Sequence, residues 1–331
     1  MIKKVLLIGN YPPPIGGVSM HLERFLLEMQ NEKYITSLLD IKKRKVFGAE
    51  SGGFFACINS FISADLIHIH LSTNLKNIIV TLAIILGKKV VYTHHNSRVT
   101  DVRNFVKLFN MLDHLILVND RSIQIDKKIL NSQKTSVIPA FLPPKKYNKL
   151  DDDLRRRITG IDFLVTTNCS NKSEFNGKDL YGFDIIIAAY AQFCDENKSV
   201  NSLLVLVDPS NTSSEFTNNC LRKHNIPISK VIFWGQSVDF YSLMLESNAV
   251  IRGTRSDGDS LTVREALYNG TPIIASDCTW RPNGTITYET ESSHELFSKL
   301  KIVYANKSNL VYKSEDYFYK ILNVYDKVIQ R

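Results

Sequence analysis

Little in this 331-residue chain would divert it from an ordinary globular fold. Its five cysteines (Cys57, Cys169, Cys194, Cys220 and Cys278) include no C-x-x-C pair and are odd in number, which argues against a disulfide framework and for a reducing compartment. The longest strongly apolar run, Ile78 to Leu86, is far too short to span a bilayer. Met1-Ile-Lys-Lys and the short apolar run ending at Ile8 do not make a signal peptide, so a cytoplasmic protein is expected. Internal repeats and low-complexity tracts are absent. No zinc-finger spacing, RNP-like aromatic motif or basic heptad stripe points to nucleic acid. The first strand runs into Gly9-Asn-Tyr-Pro, not into G-x-G-x-x-G, which removes the main support for a dehydrogenase.

What is present is enough apolar sequence, 44% hydrophobic, for two cores, and a charge divided unevenly between them. Residues 1–160 hold 24 Lys and Arg against 13 Asp and Glu; residues 161–331 hold 17 against 20. A basic front half suits an anionic partner, and with no nucleic-acid motif the expected one is an anionic membrane surface. Short apolar strands alternate with amphipathic helices along both halves, as in a parallel doubly wound sheet. The spacing predicts strands at 4–8, 66–70, 89–93, 114–118 and 137–138 in the first half, with helices near 18–29, 76–86, 101–112 and 121–131. In the second half it predicts strands at 163–167, 203–207, 231–234, 249–251 and 273–275, and helices near 180–196, 214–224, 238–246, 260–269 and 293–305. The α/β fold expected is two Rossmann-like doubly wound domains facing across a cleft at the carboxyl ends of their strands. Their bounds are 1–150 and 151–313, with a helix at 314–331 packing back towards the first domain. Pro139 to Leu150, with Pro143-Pro144, and then the Asp and Arg triplets at 151–157 read as a linker with solvated charge.

One stretch carries the chemistry. After the apolar run Ala249-Val-Ile251 comes Arg252-Gly-Thr-Arg-Ser-Asp257-Gly258-Asp259-Ser260, then a half-buried helix with Leu261, Val263, Ala266 and Leu267, stopped by Gly270-Thr-Pro272. Asp259 or Ser260 is a natural N-cap. The backbone N–H groups of Ser260, Leu261 and Thr262 then face outward at the positive end of the helix dipole, a ready anion site. Glu265, one turn on, can accept hydrogen bonds from a ribose diol. An isolated Asp-Gly-Asp-Ser is more often a capped surface helix with solvated acids, but here the strand, turn, helix and following strand all fit.

Asp257-x7-Glu265 closely resembles the donor-site motif of retaining nucleotide-sugar glycosyltransferases with the two-domain GT-B fold. The resemblance covers most of the chain and implies sugar transfer from a nucleotide donor, a hexosyl or related group, with retained anomeric configuration. It implies no cofactor and no metal, the nucleotide-sugar being a substrate. Donor contacts would include Arg252, Asp257, Gly258, Asp259, Ser260, Leu261, Thr262 and Glu265. The loop Tyr11-Pro-Pro-Pro-Ile-Gly16-Gly17 resembles the family's first-strand loop, where Gly16 and Gly17 would admit a ligand to the backbone. Tyr92-Thr-His94-His95-Asn96 follows a strand, and the resemblance places His95, not His94, beside the transferred sugar. His68 and His70 share one strand face and read as buried and hydrogen-bonded.

The family's diphosphate clamp is altered here: Asn168 stands near the usual Arg and Tyr181 at the usual Lys, leaving Lys172, Lys178, Arg252 or Arg255 as the cation. Phe233-Trp-Gly235 resembles the strand end where the nucleobase packs, Trp234 being equally a core residue. Arg281 could face the cleft or solvent. A rival reading of Asp257-Gly-Asp259 is the metal-binding D-x-D of the GT-A fold, disfavoured by its late position. The expected acceptor is a lipid-linked saccharide at the inner membrane face, as in surface polysaccharide, lipopolysaccharide or capsule assembly. The alternatives are a nucleotide-sugar epimerase on the same fold and a non-catalytic nucleotide-binding subunit.

Overall fold

The computed structural model describes residues 3–13, 16–95, 99, 101–119, 132–306 and 317–330. The chain forms two compact units, residues 1–144 with 315–331 and residues 145–314. The helix expected at 121–131 lies outside the described residues.

In the first unit the strands are β1 (Lys3–Ile8), β2 (Tyr34–Asp40), β3 (Lys45–Gly48), β4 (Leu66–Ile69), β5 (Lys89–His94), β6 (His114–Leu117) and β7 (Thr135–Val137). They form one sheet in the order β3-β2-β1-β4-β5-β6-β7, parallel except for β3, which runs antiparallel to β2. Helices α1 (Gly17–Glu28), α2 (Phe54–Ser63), α3 (Leu75–Ile85) and α4 (Val102–Met111) connect them. Alternate residues of β1 serve opposite faces: Val5 and Leu7 pack with Leu22 and Phe25 of α1, while Leu6 and Ile8 pack with Ile79 and Val80 of α3 and Phe105 of α4.

The second unit begins with a helix where the sequence predicts a linker. The charged stretch expected as linker is helix α5 (Asp152–Ile158), capped by the Asp151 side chain on the amides of Asp153 and Leu154. Its acids lie in the first turn and its arginines in the last, complementing the helix dipole, and Leu154 and Ile158 bury their side chains. Strands β8 (Phe163–Asn168), β11 (Ser202–Val207), β12 (Val231–Trp234), β13 (Ala249–Arg252), β14 (Ile273–Ser276) and β15 (Ile286–Tyr288) make an all-parallel sheet in the order β12-β11-β8-β13-β14-β15. A small antiparallel pair, β9 (Glu174–Phe175) with β10 (Lys178–Asp179), projects from the loop after β8. Helices α6 (Phe183–Glu196) and α10 (Ser293–Ala305) pack on one face, while α5, α8 (Phe240–Glu246) and α9 (Leu261–Asn269) pack on the other; α7 (Ser214–Lys223) lies beside α6.

The last helix, α11 (Phe318–Ile329), returns to the first unit. Phe318, Ile321, Tyr325 and Val328 join the core beneath α1. Among the described residues no helix is long and apolar enough to cross a membrane.

Candidate active site

In the second unit the site is built at the carboxyl ends of β8, β13 and β14. Gly182, in the left-handed region at φ +69°, caps α6, and a side chain there would run into the carbonyl of Gly253. That close approach sets the loop after β13 against the start of α6. Ser260 caps α9 by accepting from Val263 N at 3.4 Å, so the amides of Leu261 and Thr262 have no partner within the helix. Gly270, at φ +81°, ends α9. Thr262 Oγ1 donates to Asn168 Oδ1 at 3.2 Å, tying the end of β8 to this helix start.

The three carboxylates of the motif are not solvated acids. Asp257 accepts from Arg252 Nε at 3.0 Å, Arg281 Nη1 at 3.0 Å and Thr254 Oγ1 at 3.1 Å. Burial alone would raise the Asp257 carboxyl, but the two guanidinium groups overcome it and hold it well below the usual carboxylate range. Asp259 receives Arg264 Nε on both oxygens at 2.6 and 2.7 Å, with both side chains buried. Glu265 is 6% exposed on α9. Both acids of the D-x-D are therefore engaged by arginines, and two guanidinium groups share Asp257.

The candidate cations differ in their surroundings. Arg252 lies over the Tyr181 ring, 5.4 Å from its centroid, while Tyr181 Oη meets Ser170 Oγ at 2.7 Å. Tyr181 thus supports an arginine from β13. Arg255 is buried and occupied, bidentate to Asp184 (3.0 and 2.8 Å) and to Glu291 (2.8 and 2.9 Å). Lys178 joins the same cluster through Glu291 at 3.4 Å. Lys172 is exposed, its amide donating to Thr212 Oγ1 at 2.7 Å. Trp234 packs in the core with Val207 and Leu243.

In the first unit Gly16 and Gly17 open α1, and a methyl group at Gly17 would meet nothing within 4 Å, so packing does not require glycine there. One turn on, His21 lies 5.5 Å from the His70 ring and 5.7 Å from the His95 ring, which places the glycine loop near His95. His70 Nδ1 and His95 Nε2 are 2.9 Å apart, and His68 bridges Tyr325 Oη (2.6 Å) and Thr93 Oγ1 (2.7 Å). Desolvation first, and neighbouring imidazoles second, hold His68, His70 and His95 well below the ordinary histidine value; His21 falls to about 4. All four are neutral at pH 7. His94 turns instead towards Tyr92 and Phe105. Asn96 lies outside the described residues.

No family model and no curated protein matches the sequence. Solved structures match it over nearly its whole length. HepE from Anabaena, in complex with UDP and glucose, is 15% identical with 99% of each chain covered and a TM-score of 0.69. A glycosyltransferase from Rickettsia africae is 12% identical, again with 99% of each chain covered, at a TM-score of 0.71. A Listeria monocytogenes protein described as a UDP-N-acetylglucosamine 2-epimerase is 13% identical, covering 99% of this chain and 96% of its own, at 0.66. The fold is GT-B.

Within this GT-B chain the sequence leaves Arg281 undecided between cleft and solvent. It is buried, donating to Asp257, to the Ser276 carbonyl at 2.9 Å and to Thr254. Its partner is 24 residues away in sequence, and only the register of β14 beside β13 brings the two together.

Proposed function

We propose that the chain is a retaining glycosyltransferase that moves a sugar from a nucleotide-sugar to a hydroxyl of a lipid-linked saccharide, in surface polysaccharide assembly at the cytoplasmic membrane face. The observation that carries the reading is the start of α9: a Ser260-capped helix with open amides at Leu261 and Thr262, a buried Glu265, and a loop in which Asp257 is shared by Arg252 and Arg281. The two guanidinium groups exceed the one carboxylate they share, leaving positive charge to meet a diphosphate that the altered clamp at Asn168 and Tyr181 would not hold alone. Glu265 takes the ribose diol.

Transfer breaks the bond from the anomeric carbon to the diphosphate oxygen and forms one to the acceptor oxygen on the same face. The acceptor proton leaves with the nucleoside diphosphate. No divalent ion is needed, because helix amides and arginines stabilise the leaving group. The neutral His95, oriented by His70, hydrogen-bonds a sugar hydroxyl.

Titration of UDP and GDP against the protein and its Glu265→Gln variant tests the donor site. The variant keeps the side chain's shape and should bind the preferred nucleotide roughly 10- to 100-fold more weakly while its circular dichroism stays that of the folded protein. Equal affinity in both proteins would remove the assignment. Turnover should survive EDTA; loss restored by manganese would return the D-x-D reading. The Listeria neighbour keeps epimerisation open as a second reading, and the altered clamp keeps open a non-catalytic subunit. A changed sugar without acceptor identifies the first, and nucleotide-sugar bound but never converted the second.

A further inference from the structure

Helices α2 and α3 are apolar on the side turned away from the sheet. On α2, Phe55 (84% exposed), Ile58 and Ile62 point outward, while Ala56, Cys57 and Phe61 face the core. On α3, Ile79, Val80 and Ala83 pack inward, yet Ile78, Leu82 and Ile85 (73% exposed) form an outward stripe at helical spacing. Both helices pack on the same core, and their C-terminal ends approach, since Lys88, just past α3, donates to the carbonyl of Ile62 at the end of α2. A monomeric protein seldom leaves so many large apolar side chains of one sheet face in water.

Charge says what covers it. Neither helix contains an acid, and Asp65, the only acid from residue 51 to 100, is engaged by Lys3 and the Lys4 amide. Basic residues border the face at both ends. Lys88 is at one; at the other, the Val46–Gly52 bridge sets the start of α2 beside β3, with exposed Lys45 on that strand and exposed Lys42 and Arg44 in the turn before it. A second copy of this surface would bring like charges together.

We infer that the α2–α3 face seats the protein on an anionic lipid bilayer, its apolar side chains entering the headgroup boundary while the flanking Lys and Arg meet lipid phosphates. Helices of 10 and 11 residues, about 15 Å long, lie on such a surface and do not cross it. The inference deepens the lipid-linked acceptor reading and rests on it for its purpose, though not for its observations.

Co-sedimentation of the full chain with phosphatidylglycerol–phosphatidylcholine vesicles, against pure phosphatidylcholine, is the test, paired with UDP and GDP titration and sedimentation velocity. Wild type should bind the anionic vesicles and weaken with salt. The Ile78→Gln/Ile85→Gln variant and, separately, Phe55→Ser should each lose roughly tenfold in partitioning, with melting and nucleotide affinity unchanged. The inference is overturned if wild type ignores anionic lipid, if these variants bind as wild type does, or if wild type is a dimer that the variants dissolve. Vesicle binding without nucleotide binding would sink the transferase reading and leave this surface standing.

Discussion

His21, His68, His70 and His95 share a small volume, and each must be uncharged for the others to stay in place. All four bind protons less readily folded than unfolded, where an imidazole titrates near 6.5. Below that pH the unfolded chain takes up protons that the folded chain refuses, so stability is full above about 6.5 and falls on acidification, towards about 4 for His21. Each such group costs up to about 1.4 kcal/mol per pH unit inside its window. Urea unfolding at pH 7.5 and 5.5 should therefore show the first unit losing at least about 1 kcal/mol, a loss reduced when His21 is replaced by Phe. Asp257 acts in a different window, its contribution being present above the ordinary carboxylate range and lost only in strong acid.

At the scale of elements, α9 shows what a sequence can reveal. Its cap, apolar period and Gly270 stop are all local, so the sequence narrows the N-cap to Asp259 or Ser260, and the structure selects Ser260. Ser260→Ala should cost about 1 kcal/mol of stability, read from the denaturation midpoint, and should change nucleotide affinity little because the Leu261 and Thr262 amides remain. An equal loss of binding would mean that the hydroxyl itself holds the ligand. Other elements hide for stated reasons. α2 carries apolar residues on its outward face, so its period does not mark a core side. α5 is short and densely charged; its Asp151 cap and acid-then-base order are local, but the burial of Leu154 and Ile158 against β8 and β11 is not. The Arg255 cluster draws Asp184 from 71 and Glu291 from 36 residues away, a convergence that no local pattern announces.

For the whole molecule, the two units differ in how their chain is assembled. The second is one continuous segment; the first needs α11, whose six buried side chains (Phe318, Ile321, Leu322, Val324, Tyr325 and Val328) complete its core. At about 1.5–3 kcal/mol for each buried side chain, α11 is worth roughly the entire net stability of a domain. Ending the chain at Asn306 should abolish the first unit's melting transition while the second still binds and is stabilised by nucleotide, a split that calorimetry can resolve. A surviving first transition would make α11 an ornament. During synthesis the same arrangement reverses the order of the units. The half translated first must wait, with its β-strands exposed, until α11 has left the ribosome, whereas the half translated second can close as soon as α10 emerges. The first unit is thus the part of the nascent chain most in need of chaperone cover, and the emergence of α11 decides when that need ends.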